Sequence, residues 1–362
     1  MMEGMLDRAL TQRIANAVSR ATVRGGSAPP NPVTLPGDLA AICADAQARV
    51  VAYTGLQPAA PLPAPEAVAR SGWIAANVNS MGALLDPLGE RLAGGAVGGF
   101  GLLRGPARAA AATLISAEAG ALTGYLSQRV LGQFEFVLVD PDAPARLLFV
   151  APNIAQAAAR LNADAEELLT WIAFHEVTHA VQFTGVPWLR PYIAGLVSEL
   201  LASLEVSIDP RSLLRLPAVD DVRGLVAALR EGGLVAALGG AGRRELLERV
   251  QSVMGVVEGH AEHVMDVVGA QALPSLDALR TALDRRRRER SPLFALLERL
   301  IGLDAKLRQY EDGKRFCDAV AAAAGPAGLH LVFEGPQRLP SAAELQDPEA
   351  WMRRTGISSA AA

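Results

Sequence analysis

The sequence has few cysteine, histidine and aromatic residues. Among its 362 residues are two cysteines, Cys43 and Cys317, five histidines and only 5% aromatic residues. Two cysteines cannot form a disulfide framework, and neither has a neighbour at metal-ligand spacing, so the sequence favours a reducing compartment. Because hydrophobic residues still reach 51%, the interior must consist mainly of alanine, leucine and valine. This composition predicts a mostly helical protein.

A strong excess of either charge is also lacking, since the formal net charge is −4. That value excludes a general attraction to nucleic acid or to an anionic membrane surface. The one basic run, Arg285–Arg290, follows a helical stretch and contains no aromatic residue. We interpret it as a solvated helix face and expect no nucleic-acid partner.

Long uninterrupted apolar segments are missing as well. The uncharged run Leu92–Leu103 is shorter than the roughly 18 residues that a membrane-spanning helix needs. Residues Met1–Asn16 carry charges at helical intervals and have no apolar signal-peptide core. We therefore expect a cytoplasmic protein without stable membrane insertion.

Turn-forming residues divide the chain into helical segments around one short β element. Proline and glycine clusters at 25–32 and 57–65 interrupt regular structure. Partly alternating apolar residues at 134–140 and 146–150 predict a β-hairpin or small sheet next to a helix over 164–183. Further helices are predicted at 193–206, 219–230, 243–269 and 291–324. The predicted fold is mainly α, with residues 1–130 forming a helical region that packs on a catalytic region at 131–362.

The helix over 164–183 contains the motif His175-Glu176-Val177-Thr178-His179. At about 100° per residue, His175 and His179 lie about 40° apart on one helix face, one turn from each other. Both imidazoles can therefore reach one metal ion, and the motif is typical of zinc. Glu176 projects beside that face, which suits a general base that is not itself a ligand.

A third ligand is expected near Glu258, because catalytic zinc usually has three protein ligands. Glu258 and Glu262 share one face of the predicted helix over 243–269, so we assign Glu258 as the ligand and Glu262 as an acceptor for a ligand histidine. His260 or His263 remains an alternative third ligand. His263 is also a candidate for stabilising an oxyanion.

Two more polar residues are candidates for the site. Gln182 follows His175 by nearly two helical turns and returns to the same face, although packing or capping is the favoured interpretation. Tyr310 is a candidate donor to a tetrahedral intermediate, with a core position as the alternative.

These residues together predict a zinc-dependent hydrolase that cleaves an amide bond, with a peptide or a small amide as substrate. Two other functions stay open. The first is a non-catalytic binding or scaffold protein that zinc stabilises, and the second is a metal-dependent amidohydrolase or esterase acting on a small metabolite. The oligomeric state is left open.

The motifs resemble known metalloenzymes at two levels. His175, Glu176 and His179 with Glu258 and Glu262 resemble the gluzincin arrangement of thermolysin-type peptidases. A closer resemblance is carried by five segments: Leu131–Phe134, Pro152–Ile154, His175–Phe183, Glu258–Asp266 and Gln309–Cys317. Through them most of residues 70–355 resembles a family of actinobacterial and Chloroflexus-type zinc-dependent hydrolases, sometimes labelled as associated with deazaflavin-coenzyme biosynthesis. This resemblance implies a helix-rich, zincin-like metalloprotease.

Overall fold

The computed structural model describes residues 6–21, 34–94, 104–135, 138, 140, 143–202, 241–281 and 303–357. Helices dominate these residues. The helices are α1 (Arg8–Ala21), α2 (Leu39–Thr54), α3 (Arg70–Gly94), α4 (Arg104–Leu126), α5 (Ala151–Leu161), α6 (Ala165–Gly185), α7 (Leu189–Ala202), α8 (Ala241–Ala272), α9 (Leu303–His330), α10 (Ala342–Gln346) and α11 (Pro348–Thr355). The strands are β1 (Pro65–Val68), β2 (Gly132–Glu135) and β3 (Arg146–Val150).

The predicted mainly α fold with a small sheet is confirmed. Three sequence predictions lie outside the described residues, in whole or in large part. These are the helix at 219–230, the basic run at 285–290 and the uncharged run at 92–103.

Contacts divide the chain into two units. The first comprises Met1–Pro187 with Ala261–Arg288, and the second comprises Trp188–His260 with Glu289–Ala362. The division falls within the sequence range of α8, between His260 and Ala261. The predicted boundary near residue 130 stays a prediction.

In the first unit, the glycine- and alanine-rich helix α4 packs closely against α1. A methyl group at Gly120 or Gly124 would collide with the backbone of α1, at the carbonyl oxygens of Thr11 and Ala15 respectively. The small residues thus permit direct backbone approach between the two helices.

The three strands form one sheet in the order β1-β3-β2. β2 runs antiparallel to β3, with Gly132 opposite Phe149, while β1 runs parallel to β3, with Pro65 opposite Leu147. The predicted β-hairpin or small sheet corresponds to β2 and β3. Strand β1 was not predicted, because the sequence pattern indicates that helical structure resumes at about Pro65, where the strand begins. Its Pro-Glu-Ala-Val sequence has little β preference, and its partner strand lies some 80 positions away along the chain.

Helix α5 begins directly after β3, and α6 follows α5 along the chain. Val150 ends the strand and precedes the helix, and Pro152 occupies the first turn of α5, where its missing amide hydrogen costs no helical bond. Asn162 ends α5 in the left-handed region at φ 51. Helix α6 packs against β2, β3, α2 and α5, so it lies in the interior of the first unit.

In the second unit, α9 packs on the C-terminal helices. The Phe316 ring meets the fully buried Trp351 ring edge-on, with centroids 5.1 Å apart. Trp188 donates its indole hydrogen to the Phe333 carbonyl oxygen at 2.8 Å. Gly313 of α9 approaches the α8 backbone so closely that a methyl group there would collide with the Gly255 carbonyl oxygen.

Residues Glu311–Phe333 are long and apolar enough to cross a membrane by length and composition, with a mean hydropathy of 1.4. The helical backbone is interrupted at Gly325, at φ 68, directly before Pro326. Phe316 and Cys317 have no exposed surface. Buried side chains and an interrupted backbone are typical of a core helix, and the expected absence of membrane insertion stays a prediction.

Candidate metal centre

Local sequence signals define the ends of α6 and place the histidine motif in its interior. The Asp164 side chain accepts hydrogen bonds from the Glu166 and Glu167 amides at the N-terminus. These two glutamates also lie in the first turn, where negative charge complements the helix dipole. At the other end, the Val186 amide donates a hydrogen bond to the Gln182 carbonyl oxygen. The regular backbone between these caps fixes the relative positions of His175 and His179.

The two histidine rings present their nitrogens to each other. Nε2 of His175 and Nε2 of His179 are 3.2 Å apart, with ring centroids 4.6 Å apart and planes 85° apart. Two nitrogen ligands on a tetrahedral zinc ion, each about 2.0–2.1 Å from it, are about 3.3 Å from each other. The observed spacing therefore fits a pair of ligands on one ion.

Gln182 contacts the far side of the His179 ring. Its Oε1 atom lies 2.9 Å from Nδ1 of His179, and its side chain is fully buried. A carboxamide oxygen only accepts hydrogen bonds, so Nδ1 carries the proton and Nε2 presents its lone pair towards His175. Gln182 follows His179 by three residues on α6, a spacing that allows this contact, although the sequence alone favours a packing or capping role for it.

Glu176 is only 7% exposed, and its carboxylate lies against strand β2. Its Oε2 atom accepts a hydrogen bond from the Phe134 amide at 2.9 Å. A methyl group on Gly132 would lie 2.7 Å from Cγ of Glu176. The β element expected beside the helix thus contacts the predicted base directly, a detail that the sequence pattern did not reveal.

Glu258 is half-buried on α8. One ligand atom from each of His175, His179 and Glu258 lies within 4.8 Å of the others, and this is the cluster of potential metal ligands among the described residues. Two imidazole nitrogens and one carboxylate oxygen form a donor set that zinc commonly takes in hydrolases. These three residues can hold a metal ion.

The two neighbouring histidines on α8 make other contacts. His260 is buried, and its ring packs edge-on against Phe333 with centroids 4.8 Å apart. Nε2 of His263 lies 2.7 Å from the Tyr53 hydroxyl oxygen. Neither residue belongs to the metal-ligand cluster that the described residues form. Tyr53 was missed by sequence analysis, since it lies on α2, far from α8 in sequence.

Two further candidates, Glu262 and Tyr310, lie on α8 and α9. Glu262 is half-buried on α8, one turn after Glu258. Tyr310 lies in α9, but its side chain is outside the described part of the structure. The proposed roles of Glu262, His263 and Tyr310 therefore stay predictions.

A helical architecture, a small sheet and a cluster of two histidines with one glutamate are typical of metal-dependent hydrolases of the zincin type. The chain belongs to the zincin-like metallopeptidase family, whose model matches residues 8–352. This membership confirms the predicted zincin-like class.

A solved structure from Chloroflexus aurantiacus is similar over the whole length. That protein, described as a "putative hydrolase with a novel fold", is 28% identical, with a TM-score of 0.69 over 98% of this chain and 99% of the other. Among curated proteins, no sequence matches. The predicted resemblance to Chloroflexus-type hydrolases is thereby confirmed at the level of fold and general class.

Proposed function

We propose that the protein is a zinc-dependent metallopeptidase that hydrolyses an amide bond of a peptide. The observation that carries this proposal is the cluster of His175, His179 and Glu258, whose ligand atoms lie within 4.8 Å of one another. The fit of the 3.2 Å nitrogen spacing to tetrahedral coordination supports it. Membership of the zincin-like metallopeptidase family supports it independently.

His175, His179 and Glu258 would hold the metal through two neutral nitrogens and one anionic oxygen. That donor set would leave a divalent ion with a net charge of about +1, which suits binding of both a carbonyl oxygen and water. When bound, zinc supplies Lewis acidity, which polarises the substrate carbonyl and makes water more acidic.

Glu176 acts as the general base in this proposal. Glu176 lies next to His175 in sequence and is not one of the three residues of the ligand cluster, as expected of a general base that is not itself a ligand. One carboxylate oxygen accepts a proton from the attacking water and then delivers it to the leaving amine nitrogen. Gln182 keeps the Nε2 lone pair of His179 directed at the ligand cluster by accepting the Nδ1 hydrogen.

The experiment replaces Glu176 by Gln and compares that variant with Glu349→Gln. Glu349 is a suitable control because its side chain is 80% exposed and lies on α11. Zinc content is measured by mass spectrometry, and turnover is measured with a library of fluorogenic peptides and a matched set of small amides. We expect Glu176→Gln to keep zinc and to lose at least about 100-fold in turnover, whereas Glu349→Gln keeps both.

Full turnover by Glu176→Gln would contradict the mechanism. Cleavage of small amides without cleavage of peptides would support a small-molecule amidohydrolase instead. Retention of zinc with no cleavage of any substrate by the wild-type protein would support a zinc-stabilised binding protein. The link to deazaflavin-coenzyme biosynthesis stays a prediction that none of these residues supports.

A further inference from the structure

Strand β2 lies at an edge of the sheet, and its backbone groups alternate between β3 and the outer side. The Leu131 carbonyl oxygen, just before the strand, accepts a hydrogen bond from the Val150 amide on the β3 side. In an antiparallel pair, the backbone N–H and C=O groups of every second residue face the partner strand. The backbone groups of Gln133 therefore also face β3. Phe134 therefore directs its amide outward, away from the ladder, and there it donates to Glu176.

Gly132 provides the space that the Glu176 side chain occupies. A methyl group on Gly132 would lie 2.7 Å from Cγ and 3.0 Å from Oε1 of Glu176, and 2.9 Å from Cγ2 of Ile172. Carbon atoms in contact normally stay about 3.5–4.0 Å apart. Ile172 is a core residue that is only 3% exposed, whereas the longer Glu176 side chain can rotate about three bonds, so we expect Glu176 to shift.

We propose that the edge of β2 positions Glu176 for catalysis, through the Phe134 amide and the lack of a side chain at Gly132. This inference rests on the proposed function, because it assigns a purpose to the placement of the proposed base. The amide donates to a carboxylate, and such charge-assisted bonds are stronger than neutral ones. Gly132 and Phe134 are positioning residues, since each acts on the reaction only through Glu176.

The first test measures the contact between the Phe134 amide and the Glu176 carboxylate, and it does not depend on enzymatic activity. Hydrogen exchange of individual backbone amides is followed by NMR in the wild type, Gly132→Ala, Glu176→Ala and Gly72→Ala. Gly72 is the matched control, because a methyl group there would make only an ordinary contact with Val68, at 3.4 Å. We expect the Phe134 amide to exchange at least tenfold faster in Gly132→Ala and Glu176→Ala, and at the wild-type rate in Gly72→Ala.

The Gln133 amide serves as an internal control for the same measurement. Because it faces β3, its exchange should stay unchanged in Gly132→Ala if the strand pairing is intact. Equal acceleration at Gln133 and Phe134 would indicate general loosening of the strand and would overturn the proposal. Unchanged exchange of Phe134 in Gly132→Ala would overturn it as well.

The second test is a kinetic cycle that uses Gly132→Ala, Glu176→Ala and the double variant, with kcat expressed per zinc-loaded site. A displacement of a catalytic group by about 1 Å can lower the rate about 100-fold. We expect Gly132→Ala to lower kcat by about that factor while KM stays within about threefold. In the Glu176→Ala background, Gly132→Ala should cause no further loss, because the group that it displaces is absent.

Multiplicative losses in the double variant, or unchanged kcat in Gly132→Ala, would overturn the proposal. Failure of the proposed function has a different signature. In that case the wild-type protein would cleave no substrate, although the exchange measurements would still report whether β2 holds the Glu176 carboxylate.

Discussion

Gln182 is fully buried and accepts a hydrogen bond from Nδ1 of His179, with Oε1 at 2.9 Å. The contact fixes both the tautomer and the plane of the imidazole ring. The Nε2 atom of His179 therefore carries a lone pair that can bind a metal. It lies 3.2 Å from Nε2 of His175. Because the Gln182 carboxamide is neutral, it orients the imidazole without adding charge to the metal centre.

Replacing Gln182 by Leu should weaken zinc binding by about 10- to 100-fold, because the acceptor that orients His179 is lost. Competition with a chromogenic chelator measures the affinity. Gln271→Leu is the control, since Gln271 lies exposed near the end of α8. Equal zinc affinity of Gln182→Leu and the wild type would show that the contact does not support metal binding.

We expect the buried Cys43 thiol to lower the free energy of unfolding as the pH rises into the alkaline range. Burial raises the pKa of its thiol to about 12, so the folded protein keeps a proton that the unfolded chain releases above pH of about 8.5. The free energy of unfolding therefore keeps its full value below that pH and decreases as the pH rises towards the folded pKa, by about 1.4 kcal/mol per pH unit. Urea unfolding between pH 8 and about pH 10.5 should show a smaller decrease for Cys43→Ala than for the wild type.

Equal pH slopes for Cys43→Ala and the wild type would contradict this account. Comparing slopes removes the constant cost of the cavity that the substitution leaves. Cys317 acts in the same direction, since burial also raises the pKa of its thiol. The Cys43→Ala variant therefore keeps part of the alkaline decrease.

Glu66 on β1 and Arg146 on β3 form an ion pair across the parallel strands, with Nη2 and Oε2 2.7 Å apart. The Arg146 hydrogen bond lowers the pKa of the Glu66 carboxyl. The ion pair therefore contributes to the free energy of unfolding above the unfolded pKa of about 4.3. This stabilisation is lost as the pH falls through the lower folded pKa. Because both side chains are more than a third exposed, the coupling should be below about 1 kcal/mol.

A double-mutant cycle with Glu66→Gln and Arg146→Met measures that coupling at pH 7 in low and high salt. We expect a small favourable coupling that decreases at high salt, because solvent ions screen exposed charges. A coupling that is large and independent of salt would show that the pair is shielded from solvent in solution.

The parts of the structure that sequence analysis predicted correctly depend on short-range patterns. The α6 helix has an Asp164 cap, a regular apolar period and a terminal Gly185, and the two motif histidines follow from its periodicity. The pair β2 and β3 likewise lies within a short stretch of chain. In these segments the local sequence alone contains the structural signal.

The features that were missed depend on contacts between distant segments. Strand β1 pairs with β3 across some 80 positions, and Tyr53 meets His263 across 210 positions. The Phe134 contact with Glu176 similarly joins a strand edge to a helix. No local pattern specifies which backbone amide a buried carboxylate will meet, because tertiary packing decides it.

The central claim is that His175, His179 and Glu258 bind one zinc ion. A crystal structure of the zinc-loaded protein, with data collected on both sides of the zinc absorption edge, tests it most directly. We predict one anomalous peak, with Nε2 of His175 and Nε2 of His179 at about 2.0–2.1 Å and a Glu258 carboxylate oxygen at about 2.0–2.2 Å. A peak bound by a nitrogen of His260 or His263 with Glu258 turned away, or no peak beside His175 and His179, would contradict the claim.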